Sequence, residues 1–217
     1  MEPEFWHGRW EQKDIGFHQK TVLDLLQTHW PDLGLAPTST VFVPLCGKSL
    51  DMVWLADQGH RIIGAELSEI AVDEFFDERG LTPECEKSGS LTVKRAGPYE
   101  LWCGDIFEMP ESALASVAGV YDRAALVAFP PEMQGRYAKA LTDLLPPPVT
   151  MLLITFDYDQ SKMPGPPFAV PRAQVQHLFS EAFAISEVAA RSGEPKNPRF
   201  VERGLSLIEE CAFILKR

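Results

Sequence analysis

The sequence predicts an α/β fold in which a doubly wound, mostly parallel sheet carries helices on both faces. Three features predict it. Residues 41–66, VFVPLCGKSLDMVWLADQGHRIIGAE, read as a buried strand, a tight loop, an amphipathic helix and a second strand, which is half of a dinucleotide-type fold. Residues 149–156 are apolar almost throughout, the pattern of a strand covered on both faces. Several apolar runs end on a polar residue, Glu66, Asp105 and Arg123 among them, and strand ends are where such sheets bind ligands.

Taken in order, the first 20 residues crowd Phe5, Trp6, Trp10 and Phe17 among Glu2, Glu4, Arg9, Glu11, Lys13 and Asp14. Trp6 and Trp10 are four apart and share a helical face, and Ile15-Gly16-Phe17 breaks the chain before an amphipathic helix bearing Val22, Leu25, Leu26 and Trp30. This aromatic arm either packs as core or lids a pocket. Residues 40–43 supply a β-branched strand, Pro44 to Lys48 interrupt it, and Ser49 caps a helix with Leu50, Val53, Trp54 and Leu55 on its apolar side. Gly59 ends that helix. The strand at 61–65 then delivers Glu66 about 20 residues beyond the loop glycine, where such folds place a carboxylate on ribose hydroxyls.

The loop restricts the ligand. Gly47-Lys48-Ser49 mimics the end of a phosphate-binding loop, but the glycine required five positions before Gly47 is Phe42. The G-x-G-x-x-G fingerprint is absent too, because Pro44 and Leu45 stand where a pyrophosphate needs close backbone approach. A nucleoside ligand without phosphates fits better, and S-adenosylmethionine is one. The plain alternative is a structural strand-loop-helix with Glu66 merely exposed.

Ser68 precedes a helix that Gly80 stops. Residues 91–94 and 99–102 flank Arg95-Ala96-Gly97-Pro98, a hairpin signal, and lead into Cys103-Gly104-Asp105. Asp105 is placed to accept a hydrogen bond from an adenine amino group and Ile106 to pack on the ring, with turn capping as the alternative for Asp105. Residues 117–121 form the next strand, closing on Asp122-Arg123, and Pro130-Pro131 opens a helix to about Leu145. Met163-Pro164-Gly165-Pro166-Pro167-Phe168 is expected as a stiff active-site loop rather than a polyproline ligand. A helix at 172–180 and an antiparallel pair at 183–190 and 205–215 close the chain, separated by a polar loop holding Lys196, Arg199 and Arg203.

With 217 residues, 45% of them hydrophobic, the chain is long enough for one sizeable core, and residues 1–217 are read as one domain. A formal net charge of -11 opposes a nucleic-acid partner and points to a small substrate. Cys46, Cys85, Cys103 and Cys211 form no C-x-x-C pair and read as reduced thiols. No basic-apolar leader and no apolar run of 18 residues is present, so a cytoplasmic protein, not bound to membrane, is expected. His7, His18, His29, His60 and His177 lack paired ligand spacing, and no metal is expected.

FVPLCGKSLDMVWLA with RIIGAELSE, followed by WCGDIFEMP, YDRAALVA and PGPPFAVP in this order, resembles the thiopurine S-methyltransferase family in its bacterial form, over nearly the whole chain. The resemblance implies a class I S-adenosylmethionine-dependent methyltransferase fold with a seven-stranded sheet and an antiparallel last strand. It implies cofactor contacts at Trp10, Leu45, Glu66 and Arg123, adenine-side contacts at Asp105 and Ile106, and a substrate-side aromatic at Phe17. Arg123, Arg199 or Arg203 would hold an anionic substrate, although the loop around Arg199 and Arg203 departs from the family pattern. The implied acceptors are aromatic or heterocyclic thiols such as thiopurines, and selenium or tellurium compounds; a monomer is expected. Methyl transfer to a soft thiolate needs alignment and exclusion of water more than a base, so no catalytic residue is assigned; His18, beside Phe17, is the one histidine expected within reach. Two rivals remain at this level: a nicotinamide-dependent oxidoreductase, which the missing glycines oppose, and a protein that binds S-adenosylmethionine or a metalloid without turnover.

Overall fold

The computed structural model describes residues 3–195 and 198–217, with Arg199 described by its backbone alone. The chain begins with α1 (Pro3–Glu11) and α2 (Asp24–His29), then alternates β1 (Thr40–Val43), α3 (Leu50–Asp57), β2 (Arg61–Glu66) and α4 (Glu69–Asp77). A meander of β3 (Glu84–Ser88), β4 (Leu91–Ala96) and β5 (Tyr99–Cys103) follows. The remainder is β6 (Val117–Arg123), α5 (Pro131–Leu144), β7 (Thr150–Asp157), α6 (Arg172–Phe179), β8 (Ala184–Gly193), α7 (Pro198–Glu202) and β9 (Ile208–Lys216).

All nine strands join one sheet in the order β3-β4-β5-β2-β1-β6-β7-β9-β8. The run β5-β2-β1-β6-β7 is parallel, and β9 inserts antiparallel between β7 and β8. These seven strands are the predicted sheet; β3 and β4 extend its edge antiparallel. Strand β3 has no counterpart in the sequence reading. Its ECEKS run is polar and exposed, because an edge strand covered on neither face has no apolar alternation to display.

Period-two alternation sorts the strands' side chains into two cores. Phe42, Ile63, Met151 and Leu153 face one side, where Tyr137 and Leu141 of α5 and Val175 and Phe179 of α6 cover them. Val41, Val43, Ile62, Leu152 and Ile154 face the other, under Leu25 and Leu26 of α2, Met52 and Leu55 of α3, and Phe75 and Phe76 of α4.

Local chemistry sets several boundaries. Ser49 caps α3 as predicted, accepting the Asp51 N–H at 3.1 Å. Ser68 occupies the N-cap of α4, but its buried hydroxyl makes no cap bond and finds no hydrogen-bond partner among the described residues. The helix expected to run to Trp30 ends at His29 and tightens into a 3₁₀ turn at Trp30–Leu33, where Pro31 supplies no N–H for the α ladder. Arg123 is the last residue of β6, and the loop read between the closing strands contains α7. Lys196 lies outside the described residues.

Candidate functional site

Strand order reverses between β1 and β6, and the crevice above such a switch point is the ligand site of doubly wound sheets. Here the carboxyl ends of β1, β2, β5 and β6, with the arm folded across them, enclose a cavity of about 1080 Å³. Trp10, Phe17, Leu45, Glu66, Asp105, Ile106, Arg123 and Arg203 all line it. Of the residues singled out in the sequence, Arg199 has only its backbone described, in α7.

The loop after β1 is built around Glu66. Its backbone enters the left-handed region at Leu45 (φ 46°) and Gly47 (φ 51°), and the Cys46 N–H is held by the Ala65 carbonyl at 2.9 Å. Oε2 of Glu66 accepts the Gly47 N–H and Oε1 accepts the Ser68 N–H, both at 2.8 Å. Burial pushes the Glu66 carboxyl above its ordinary range, and the N–H groups of Ser68, Gly47 and Leu67 pull it back toward ionisation. A carboxylate offers about four acceptor sites, so with three backbone N–H groups turned to it there is still room for a hydroxyl proton from the cavity. Glu66 is thus buried rather than exposed. It braces the loop and lines the cavity with spare acceptor capacity.

Gly47 is required twice. A β-carbon there would sit 3.2 Å from Trp10 Cζ2, and its φ is left-handed. Trp10 is 4% exposed and meets Phe17 edge-on at 5.6 Å, while Phe17 meets Trp6 at 5.7 Å. Trp10 is buried and Phe17 half-buried, and both border the cavity. Lys48 does not serve phosphates: its Nζ donates to Glu74 of α4 at 2.7 Å and to Glu78, the residue that caps α4, at 2.5 Å, so these two carboxylates balance its charge.

Asp105 caps the turn after β5 by accepting the Phe107 N–H at 3.0 Å through Oδ1, and Oδ2 takes nothing from the described residues. Beside it Ile106 is buried. After β6, Asp122 is fully buried, with Oδ2 accepting the Tyr137 hydroxyl at 2.7 Å and Oδ1 the Leu126 N–H at 3.1 Å. Those bonds hold a turn in which Ala124 adopts φ 65°, leaving Arg123 at the cavity wall. Burial pushes the Asp122 carboxyl up to about 6.

Pro166 and Pro167 join the lining, and the loop bearing them is pinned by the Phe168 N–H on the Val127 carbonyl at 2.6 Å and by the Tyr158 hydroxyl on the Pro167 carbonyl at 2.6 Å. His18 lies on the arm side of the cavity. Burial lowers its pKa, the Lys48 charge lowers it further, Glu78 opposes, and Arg123 adds to the lowering. Asp51 and Tyr121, both buried, also line the cavity and were not picked out from sequence. An acid in the first turn of a helix reads as a partner of the helix dipole, which concealed Asp51. Arg136 was missed as well; its guanidinium rests 3.9 Å above the Phe107 ring at the rim. Among the described residues no group of three or more metal-ligating side chains gathers, and no helix is long and apolar enough to cross a membrane.

The sheet order and a crevice suited to a nucleoside without phosphates define the class, a methyltransferase that uses S-adenosylmethionine. Solved structures share the fold. The 1,6-didemethyltoxoflavin-N1-methyltransferase of Burkholderia thailandensis, with bound 1,6-didemethyltoxoflavin and S-adenosylhomocysteine, superposes with a TM-score of 0.64 at 16% identity, covering 99% of this chain and 86% of that one. An S-adenosylmethionine-dependent methyltransferase from Anabaena variabilis gives 0.64 at 14% identity, covering 99% and 95%. The chain belongs to the thiopurine S-methyltransferase family, whose model matches residues 1–217. Proteins named thiopurine S-methyltransferase from Pseudomonas entomophila and Methylococcus capsulatus are each 49% identical to it over 217 residues, covering all of this chain and 100% and 98% of theirs.

Proposed function

We propose that the protein methylates the sulfur of aromatic and heterocyclic thiols, thiopurines among them, and accepts soft selenium and tellurium compounds at the same position. The observation that carries this reading is the mixed lining of the cavity: Glu66, Asp105 and Arg123 are its polar strand-end groups, and Trp6, Phe17, Pro166, Pro167 and Phe200 add flat apolar surfaces suited to a planar ring. Glu66 would take the ribose hydroxyls, Asp105 Oδ2 the adenine amino group, Ile106 the adenine face, and Arg123 the carboxylate of the amino-acid end. Leu45 and Trp10 would close the loop and the arm over them. Bound there, S-adenosylmethionine would supply a methyl group that the acceptor's soft sulfur takes in line, the cofactor's own sulfur–methyl bond breaking and S-adenosylhomocysteine leaving.

The chain's own contribution is alignment and dryness. Phe17 and Trp10 would shield the reacting centres and stabilise positive charge by cation–π attraction of about 0.5–2 kcal/mol. Arg203, which lines the cavity, would receive an anionic substituent of the acceptor, and the side chain of Arg199, the other arginine singled out for this part, lies outside what the structure describes. No side chain need remove a proton from an acceptor that is already ionised near neutral pH. We infer a cytoplasmic monomer, in keeping with four free cysteines and a net charge of -11. An acceptor screen with methyl-labelled S-adenosylmethionine tests the function. Multiple turnovers on thiopurines and aryl thiols, exceeding those on aliphatic thiols, are expected. Cofactor binding with no turnover on any thiol, selenite or tellurite would make it a binding protein instead.

A further inference from the structure

Three carboxylates beneath the crevice are buried and have only neutral hydrogen-bond donors among the described residues: Glu66, Asp122 and Asp51. An ionised carboxylate out of water without a cation is costly, and a cation brought to it is correspondingly favoured. Asp122 does not reach the cavity, since Tyr137 and the turn after β6 surround it. Glu66 is committed to the loop and has the geometry of a hydroxyl acceptor. Asp51 remains.

Asp51 lies in the first turn of α3 and is 2% exposed, yet it lines the cavity. Oδ1 accepts the Leu23 N–H and Oδ2 accepts the Tyr121 hydroxyl, each at 2.9 Å. Tyr121 and Arg123 are two apart on β6 and project to the same face, and the Tyr121 hydroxyl, which donates to Asp51, feels the charges of both Asp51 and Arg123. The cavity wall therefore carries an anion and a cation that both act on one tyrosine hydroxyl. An amino-acid group is a cation and an anion on one carbon.

We propose that Asp51 is the counter-ion for the α-ammonium of the cofactor's amino-acid end, with Arg123 taking the neighbouring carboxylate. Through the Leu23 N–H the same carboxylate ties this charge to the start of α2, the element that follows the arm. The ammonium is the cation selected, rather than the sulfonium, because it can donate hydrogen bonds to the oxygen lone pairs still free. This inference rests on the cofactor placement given above, and Glu66→Ala tests that placement separately, since it should weaken ligands with and without an amino-acid end alike.

The experiment compares two ligands by calorimetry: S-adenosylhomocysteine, which carries the amino-acid end and no sulfonium, and 5′-methylthioadenosine, which carries neither. Asp51→Asn should weaken S-adenosylhomocysteine at least tenfold and leave 5′-methylthioadenosine within twofold. Equal losses for both ligands, or no loss for either, would overturn the proposal and leave Asp51 a packing residue. Asp51→Ser, smaller and still able to accept from Leu23 or Tyr121, is judged by the same ratio. In the unaltered protein, the analogue of S-adenosylhomocysteine with hydrogen in place of the α-amino group should also bind at least tenfold more weakly than its parent. Equal affinity there would overturn the proposal whether or not the variants fold.

Discussion

Replacing Glu66 by alanine is the sharpest probe of how the loop and the ligand share one side chain. The change removes the acceptor of two backbone N–H groups, at Gly47 and Ser68, both 2.8 Å from carboxylate oxygens. Hydrogen bonds to a charged group contribute roughly 1.5–3 kcal/mol each. Against that, the variant no longer buries a carboxylate whose ionisation burial already opposes. The two effects offset in part, and a net stability loss of about 1–3 kcal/mol is expected, or about 2–12 °C in Tm for a chain of this size. Two ribose hydroxyls lose a charged acceptor as well, which should weaken S-adenosylhomocysteine by about 1–3 kcal/mol, roughly 5-fold to 150-fold in Kd. Thermal unfolding and calorimetry on the same preparation separate the two losses. Glu66→Gln should fall between, because its amide oxygen can serve one N–H while its NH₂ confronts the other. A folded Glu66→Ala protein that binds S-adenosylhomocysteine with unchanged affinity would refute the role of Glu66 in the site, whatever happens to its Tm.

The arm gives a second prediction: amide exchange of residues 4–17 should slow when S-adenosylhomocysteine binds, since Trp10 packs on Gly47 and Phe17 borders the cavity, and equal exchange with and without ligand would leave the arm as ordinary core. For acceptors whose thiol pKa values differ by about two units, kcat/KM should rise through each acceptor's own pKa and then level off, in His18→Gln as in the unaltered protein. Because burial and Lys48 lower the His18 pKa, a histidine base would instead impose one inflection below 6.5 for both acceptors, lost in the variant. Asp122 makes stability fall with pH. Its folded pKa of about 6 lies above the ordinary 3.8, so the folded state holds the extra proton, and the stabilisation present below 3.8 is lost as pH rises toward 6. Urea unfolding across pH 4 to 7 should show the unaltered protein losing about 2–3 kcal/mol more than Asp122→Asn over that window, and parallel profiles would refute the shift.

Much of the fold was legible because its signals are short in range. The apolar runs at 40–43, 61–65 and 149–156 alternate or fill according to how many faces the sheet covers, and a buried strand has no other composition available to it. The cap at Ser49 lies two residues from the N–H it accepts, and the glycines at 47 and 97 stand where φ is positive. That Glu66, Asp105 and Arg123 line the cavity was legible for a related reason: the end of a strand is a place in the sequence as well as in the sheet. Strand β3 escaped because solvent on both faces erases the pattern, and α7 because five residues of helix in a polar stretch carry almost no periodicity.

The amino-acid sequence by itself determined the class of sheet, the strand-end positions facing the crevice and the unsuitability of the loop for phosphate. Those follow from polarity and backbone freedom, which are properties of neighbouring residues. Only the tertiary structure decided what each polar group does. Lys48 is balanced by Glu74 and Glu78, 26 and 30 residues away; Asp51 meets Leu23 across 28 residues and Tyr121 across 70; Glu66 closes a loop 19 residues behind it. Such pairings depend on strand order and on which helix lies over which face, and burial then sets their strength by removing water that would otherwise compete for every donor and acceptor. A carboxylate in a helix's first turn is the same letter whether it faces solvent or a cavity, and the sheet made the difference at Asp51.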